Sequence, residues 1–177
     1  MATKIKKADL KNIIRDIPDF PKPGILFKDI TTLLRDKAAF KKSVDLLAKQ
    51  FKKENIAYIV GVEARGFIFG AALAYKLGTG FVPIRKKGKL PSKTRQITYA
   101  LEYGTDILEI HEDALPRGAR VLVVDDLLAT GGTVKAVCDL VKAQGAVISG
   151  VAFLVELRFL KGKEKLKDYP IYSVIKY

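Results

Sequence analysis

One cysteine, Cys138, and one histidine, His111, are all that a chain of 177 residues offers to redox or transition-metal chemistry. A lone cysteine excludes an internal disulfide. One His and one Cys cannot supply the ligand set of a zinc site. Nor do they suggest a nucleophile pair. Cys138 shares a helical face with Val134, Val137 and Val141, the place of a small core residue. His111 opens the charged run HEDALPRG and reads as a surface residue or a helix start. Long apolar runs are missing too. The longest, Phe67 to Tyr75, has nine residues, too few to cross a bilayer. The start MATKIKKADLK reaches Asp9 before any apolar core of a secretory signal. The expectation is a cytoplasmic protein with no membrane partner.

Acid is also scarce in one place. Between Glu63 and Glu102 there is no Asp or Glu, while Arg65, Lys76, Arg85, Lys86, Lys87, Lys89, Lys93 and Arg95 fall there. The whole chain has 32 basic and 19 acidic residues, a net charge of +13. Anionic partners follow, whether nucleic acid or small phosphates. A solvated basic face is the plainer reading of such a window. The lysines near the two ends (Lys4, Lys6, Lys7 and Lys161, Lys163, Lys165, Lys167) read as solubility.

What is present is a folding composition: 49% apolar and 29% charged. A chain this long can bury about 70% of its unfolded surface, so it needs no staple. Residues 1–177 read as one domain, without repeats or linkers. Leu10, Ile13, Ile14 and Ile17 fit a helix that Pro18, Pro21 and Pro23 end. Phe40, Val44, Leu47, Ala48 and Phe51 make a second helical stripe. A strand at Ala57–Val62, a helix at Gly66–Leu77 stopped by Gly78, and a strand at Phe81–Ile84 follow. Arg85–Thr94 has no periodicity and reads as a mobile loop. Arg95–Leu101 and Asp106–Ile110 read as strands around Tyr103-Gly104. Ala119–Val124, Val147–Val155 and Ile171–Ile175 complete the strands, with a helix from Val134. The alternation predicts an α/β fold with a central, mostly parallel sheet flanked by helices.

The strongest motif is Val121-Leu-Val-Val-Asp125-Asp126-Leu-Leu-Ala129-Thr130-Gly131-Gly132-Thr133. A buried strand ends in two carboxylates, and a small-residue loop turns into a helix. Loop N–H groups and the helix start suit an anion. Gly131 and Gly132 allow close backbone approach, and Thr130 and Thr133 add hydroxyls. The two acids would repel a phosphate but can accept from sugar hydroxyls or help hold a divalent cation. A phosphorylated sugar satisfies both halves. An ordinary capped turn with two glycines is the competing reading. The P-loop and dinucleotide signatures are both absent.

This stretch resembles the phosphoribosyl-pyrophosphate motif of type I phosphoribosyltransferases. Phe20-Pro-Lys-Pro-Gly-Ile-Leu-Phe27-Lys28-Asp29-Ile30-Thr31, Gly61-Val-Glu-Ala-Arg65-Gly66-Phe67, Ile84-Arg85-Lys86-Lys-Gly-Lys89-Leu-Pro91 and Leu101-Glu102-Tyr103-Gly104 narrow the resemblance to the adenine phosphoribosyltransferase family. The resemblance implies a type I phosphoribosyltransferase fold with a mobile hood loop. It implies a purine-salvage glycosyltransferase that makes AMP and pyrophosphate from adenine and phosphoribosyl pyrophosphate with Mg²⁺, as a homodimer.

By the same resemblance, Glu102 and Arg65 are catalytic. Asp125, Asp126, Ala129, Thr130, Gly131, Gly132 and Thr133 bind ribose and its 5′-phosphate. Glu63, Ala64, Arg65, Arg85, Lys86 and Lys89 face pyrophosphate. Leu26, Phe27 and Lys28 bind adenine. The metal comes with the substrate and could touch Asp125 or Asp126. A cis peptide in the family's pyrophosphate loop would fall at Glu63-Ala64, where the family often has Asp-Ser. On residues alone, Glu102 reads as a surface strand residue, Asp29 as a helix cap and Lys28 as part of a turn. Three alternatives stay open: a phosphoribosyltransferase for xanthine or another 6-oxopurine, a nucleic-acid-binding regulator of the same fold, and, weakest, a sugar-phosphate-binding protein without catalysis. The second lacks an appended helix-turn-helix here.

Overall fold

The computed structural model describes residues 6–100 and 104–177. Its contacts divide into two compact units, Met1–Leu46 and Leu47–Tyr177.

In the first unit, helix α1 (Asp9–Ile13) is followed by strand β1 (Arg15–Ile17), strand β2 (Phe27–Asp29) and helix α2 (Thr31–Arg35). The expected helix through Ile17 stops early, because Ile14 is already extended at φ −71°, ψ 130°. Ile17 instead pairs with Phe27 in an antiparallel ladder between β1 and β2. The prolines lie between these strands, and Phe20-Pro21 is cis. Asp29 is not the cap of α2, a place Ile30 takes; it closes β2, and its Oδ1 accepts the Thr31 N–H at 2.9 Å.

Helix α3 (Lys37–Phe51) carries the chain onward. The second unit holds β3 (Tyr58–Val62), α4 (Gly66–Leu77), β4 (Gly80–Lys86), β5 (Thr94–Ala100), β6 (Thr105–His111), β7 (Arg120–Leu128), α5 (Gly132–Ala143), β8 (Val147–Glu156) and β9 (Ile171–Lys176). They form one seven-stranded sheet in the order β5-β6-β4-β3-β7-β8-β9. Strands β4, β3, β7, β8 and β9 run parallel, and β6 joins β4 antiparallel, as does β5 to β6. The expected α/β fold with a mostly parallel sheet is what forms.

The local reasons are plain. Strands β7 and β8 are runs of Val, Leu and Ile whose residues are mostly buried, the pattern of a strand covered on both faces. Helix α4 is apolar nearly all round and buries Phe69, Gly70, Leu73 and Ala74. Helix α5 is amphipathic and turns Val134, Val137, Cys138 and Val141 into a core with Val121, Val123, Val151 and Phe153 of the sheet. Cys138 is fully buried, and burial pushes its thiol up to about 12. The expected core role is what the structure shows.

Further boundaries in the second unit differ from expectation. Strand β4 runs through Arg85 and Lys86, and Thr94 already opens β5, so the irregular stretch is only residues 87–93. Strand β7 does not stop at Val124. It passes through both acids to Leu128, because Leu127 and Leu128 pair with Val155 and Glu156 of β8. His111 is the last residue of β6, half-buried, and not a helix start.

Candidate active site

Strands β4, β3 and β7 lie side by side and parallel, so their carboxyl ends open on one edge of the sheet. Open α/β sheets bind ligands at such edges. Each strand end contributes one loop.

The loop after β7 runs from Ala129 to Gly131 into α5. Gly131 has φ +79° and no side chain caps the helix start. Only glycine takes that conformation without penalty. The first N–H groups of α5 lack partners within the helix, and the helix dipole adds positive potential there. Asp125 and residues 127–134 line a pocket of about 80 Å³. Tyr99 of β5 lies beside Thr133.

The two acids sit at the mouth of this loop. Asp125 Oδ1 accepts the Asp126 N–H at 2.8 Å. Helix α4 begins directly against it: a Cβ at Gly66 would come within 2.8 Å of Asp125 Oδ1. Burial pushes the Asp125 carboxyl well above the usual carboxylate range, and the Asp126 charge adds to the rise. Burial also raises Asp126, against the pull of Arg65. Arg65 Nε lies 2.6 Å from Asp126 Oδ2, tying the loop after β3 to β7. Acids perturbed by burial and by a specific charge partner, set in a cleft, make a candidate functional site.

The loop after β3 holds Glu63 and Ala64, joined by a cis peptide bond. Glu63 gathers the cations of β4 and the turn behind it. Its carboxylate lies 2.6 Å from Lys89 Nζ and 3.4 Å from Arg85 Nε, and accepts the Lys86 N–H at 3.0 Å. Burial would raise this acid, but the hydrogen bonds from Lys89, Lys86 and Arg85 outweigh it and hold it at about 2. Lys86 Nζ pairs with Asp106 of β6 at 3.1 Å.

The structure thus brings Glu63, Ala64, Arg65, Arg85, Lys86, Lys89, Asp125, Asp126 and Ala129–Thr133 to one edge of one sheet. Glu102, with Leu101 and Tyr103, lies outside the described residues. Leu26, Phe27 and Lys28 belong to the first unit. There Leu26 is exposed, and Phe27 meets Phe20 edge to face at 5.1 Å. Lys28 is buried, with Nζ 2.6 Å from Asp16. Its side chain is therefore occupied locally.

Sequence reasoning missed three participants. Tyr99 reaches Thr133, and Asp106 holds Lys86. No pattern in the hairpin announces either contact. The third is the 3₁₀ segment Gly162–Leu166. A Cβ at Gly131 would collide with the carbonyl oxygen of Gly162, and one at Gly162 with that of Ala129. The two backbones are in direct contact. Its lysines, Lys163 and Lys165, read in the sequence as solubility more than function.

As to Mg²⁺, no group of three or more His, Cys, Asp or Glu among the described residues could hold a metal. Asp125 and Asp126 are hard oxygen donors at the mouth of an anion loop. That suits Mg²⁺, which is commonly held by one or two carboxylates together with substrate phosphates.

The model of the phosphoribosyl transferase domain matches residues 29–177, and this is the class of protein that the sheet and its loops define. Adenine phosphoribosyltransferase of Syntrophotalea carbinolica is 64% identical over 169 residues, covering 96% of this chain and 99% of that protein. The crystal structure of adenine phosphoribosyltransferase from Thermoanaerobacter pseudethanolicus superimposes with a TM-score of 0.95 at 54% identity, covering 97% of this chain and 100% of that one. The Saccharomyces cerevisiae enzyme, solved with an imino-altritol bisphosphate and adenine, gives 0.90 at 43% identity, covering 95% and 98%. The chain belongs to the adenine phosphoribosyltransferase family.

Proposed function

We propose that the chain transfers the phosphoribosyl group of phosphoribosyl pyrophosphate to adenine, giving AMP and pyrophosphate in purine salvage. The observation that carries this reading is the uncapped helix start behind Gly131, set beside two adjacent acids. One half accepts a phosphate and the other accepts hydroxyls. The kinship with adenine phosphoribosyltransferases supplies the base.

The 5′-phosphate sits on the N–H groups of Thr130–Thr133, with the Thr130 and Thr133 hydroxyls as further donors. The ribose hydroxyls donate to Asp125 and Asp126. Arg65, Arg85, Lys86 and Lys89 stabilise the charge that builds on departing pyrophosphate. Two of these cations are held by Glu63 in the free protein, so pyrophosphate must take them over from it. A Mg²⁺ held by pyrophosphate oxygens and by Asp125 or Asp126 would neutralise part of that charge. Phe27 stacks on the purine, while backbone groups near Leu26 and Lys28 read its edge. Adenine N9 attacks C1′ as the bond to pyrophosphate breaks. Glu102 takes part in the proton balance at the base, donating to N7 or shuttling the N9 proton. Closure of the hood keeps water away from the ribosyl centre.

Residues 1–177 act as one phosphoribosyltransferase domain. We place the enzyme in the cytoplasm as a homodimer. Among the described residues no helix is long and apolar enough to cross a membrane.

The test is nucleotide formation with Mg²⁺, phosphoribosyl pyrophosphate and, separately, adenine, hypoxanthine, guanine and xanthine. AMP from adenine alone is expected. A nucleotide from another base would discard the base pocket, and none from any base would discard the transferase reading.

A further inference from the structure

The cations that face the proposed pyrophosphate side are already matched. Arg65 is on Asp126, Arg85 and Lys89 are on Glu63, and Lys86 is on Asp106. The C-terminal lysines differ among themselves. Lys163 reaches the buried Glu156, at 3.5 Å. Lys165 pairs with no acid among the described residues, and its ammonium hangs over the phosphate loop. Its Nζ lies 4.0 Å from where a Cβ on Gly132 would stand.

Lys165 is also held in place by its neighbours. Three residues before it, Gly162 packs backbone to backbone on Ala129 and Gly131. One residue after it, Leu166 is fully buried in the same core as Leu128 and Val134, which flank the loop in sequence. The backbone carrying Lys165 is therefore clamped to the loop on both sides. Only the side chain must be ordered when an anion arrives.

We propose that Lys165 is a specificity-determining residue for the 5′-phosphate, its ammonium donating to a phosphate oxygen seated on the N–H groups of Gly132 and Thr133. This rests on the sugar-phosphate reading of the loop. Backbone N–H groups give shape to the site but no full charge. A clamped lysine with no acid partner among the described residues supplies that charge. It would favour a phosphorylated sugar over an unphosphorylated one, since a hydrogen bond between charged groups is about twice as strong as a neutral one.

The test compares wild type with Lys165→Met, Lys165→Arg and, as a control for net charge, Lys167→Met. Steady-state kinetics would give KM for phosphoribosyl pyrophosphate and for adenine. Inhibition by ribose 5-phosphate and by pyrophosphate would be measured separately. Lys165→Met should raise KM for phosphoribosyl pyrophosphate about tenfold, within the range of a lost hydrogen bond to a charged group. The inhibition constant of ribose 5-phosphate should rise with it, while that of pyrophosphate and KM for adenine stay put. Lys165→Arg should restore most of the loss. An unchanged KM in Lys165→Met would overturn the proposal. So would an equal effect in Lys167→Met, or equal weakening of both inhibitors, since either means a diffuse charge effect. A wild type that turns over no base would refute the transferase reading instead.

Discussion

Gly131→Ala and Gly88→Ala should separate two costs that one substitution would mix. The two glycines have nearly the same backbone, at φ +79° and +78°. A Cβ at Gly88 would meet nothing within 4 Å, whereas one at Gly131 would strike the Gly162 carbonyl oxygen. Both variants carry the strain of an L-residue in the left-handed region, about 1 kcal/mol at the low end. In a chain of this size that lowers Tm by about 3 °C. Gly131→Ala must also push the loop away from Gly162. Overpacking of that kind costs about 2 kcal/mol more, or about 6 °C. The expected shifts are therefore about 3 °C for Gly88→Ala and about 9 °C for Gly131→Ala, by thermal unfolding followed with circular dichroism. Gly131→Ala should also raise KM for phosphoribosyl pyrophosphate, because the anion-binding N–H groups move with it. Equal Tm shifts would refute the reasoning: the phosphate loop would then not be braced by the 162–166 segment.

Three further outcomes are expected. Asp125→Asn should stabilise the free protein at neutral pH while weakening sugar-phosphate binding. The folded state holds the Asp125 proton more tightly than the unfolded one, so wild type loses stability as pH rises from the ordinary carboxylate value of 3.8 through the higher folded one. The Tm gap should therefore close in acid, and a constant gap would contradict it. Glu63 has the opposite sign: its stabilisation is full above pH 4.5 and is lost as pH falls toward about 2, so Glu63→Gln should flatten that part of the stability profile in urea unfolding. Glu102→Ala should lower kcat far more than it raises either KM, and an equal loss in binding would argue against acid–base work.

Much of this was legible in the sequence, for identifiable reasons. The alternation of strand and helix patterns forecast the parallel sheet, and Gly66–Leu77 forms the helix its apolar run and Gly78 suggest. The glycines at residues 131–132 announced the tight turn into α5, because that pattern is local in the chain. Boundaries set by partners were not legible. Asp125 and Asp126 look like the end of a strand, yet pairing with β8 carries β7 past them. Ile17 keeps helical spacing with Leu10, yet its pairing with Phe27 makes it a strand residue. The acid-free window read as open cation surface, whereas Glu63 and Asp106, one at its edge and one beyond it, reach back to neutralise Lys89, Arg85 and Lys86. The KGKEKLK run gives no hint that Gly162 touches the phosphate loop, since that contact depends on the return path of the chain from β8.

The most direct test of the sugar-phosphate site needs no base and no turnover. Phosphoribosyl pyrophosphate with Mg²⁺ would be titrated calorimetrically into wild type and into the double variant Asp125→Asn, Asp126→Asn. Saturable binding is expected in wild type and its loss in the double variant, with Tm of the free variant no lower than that of wild type. Equal affinity in the two proteins would contradict this expectation and remove both acids from the site.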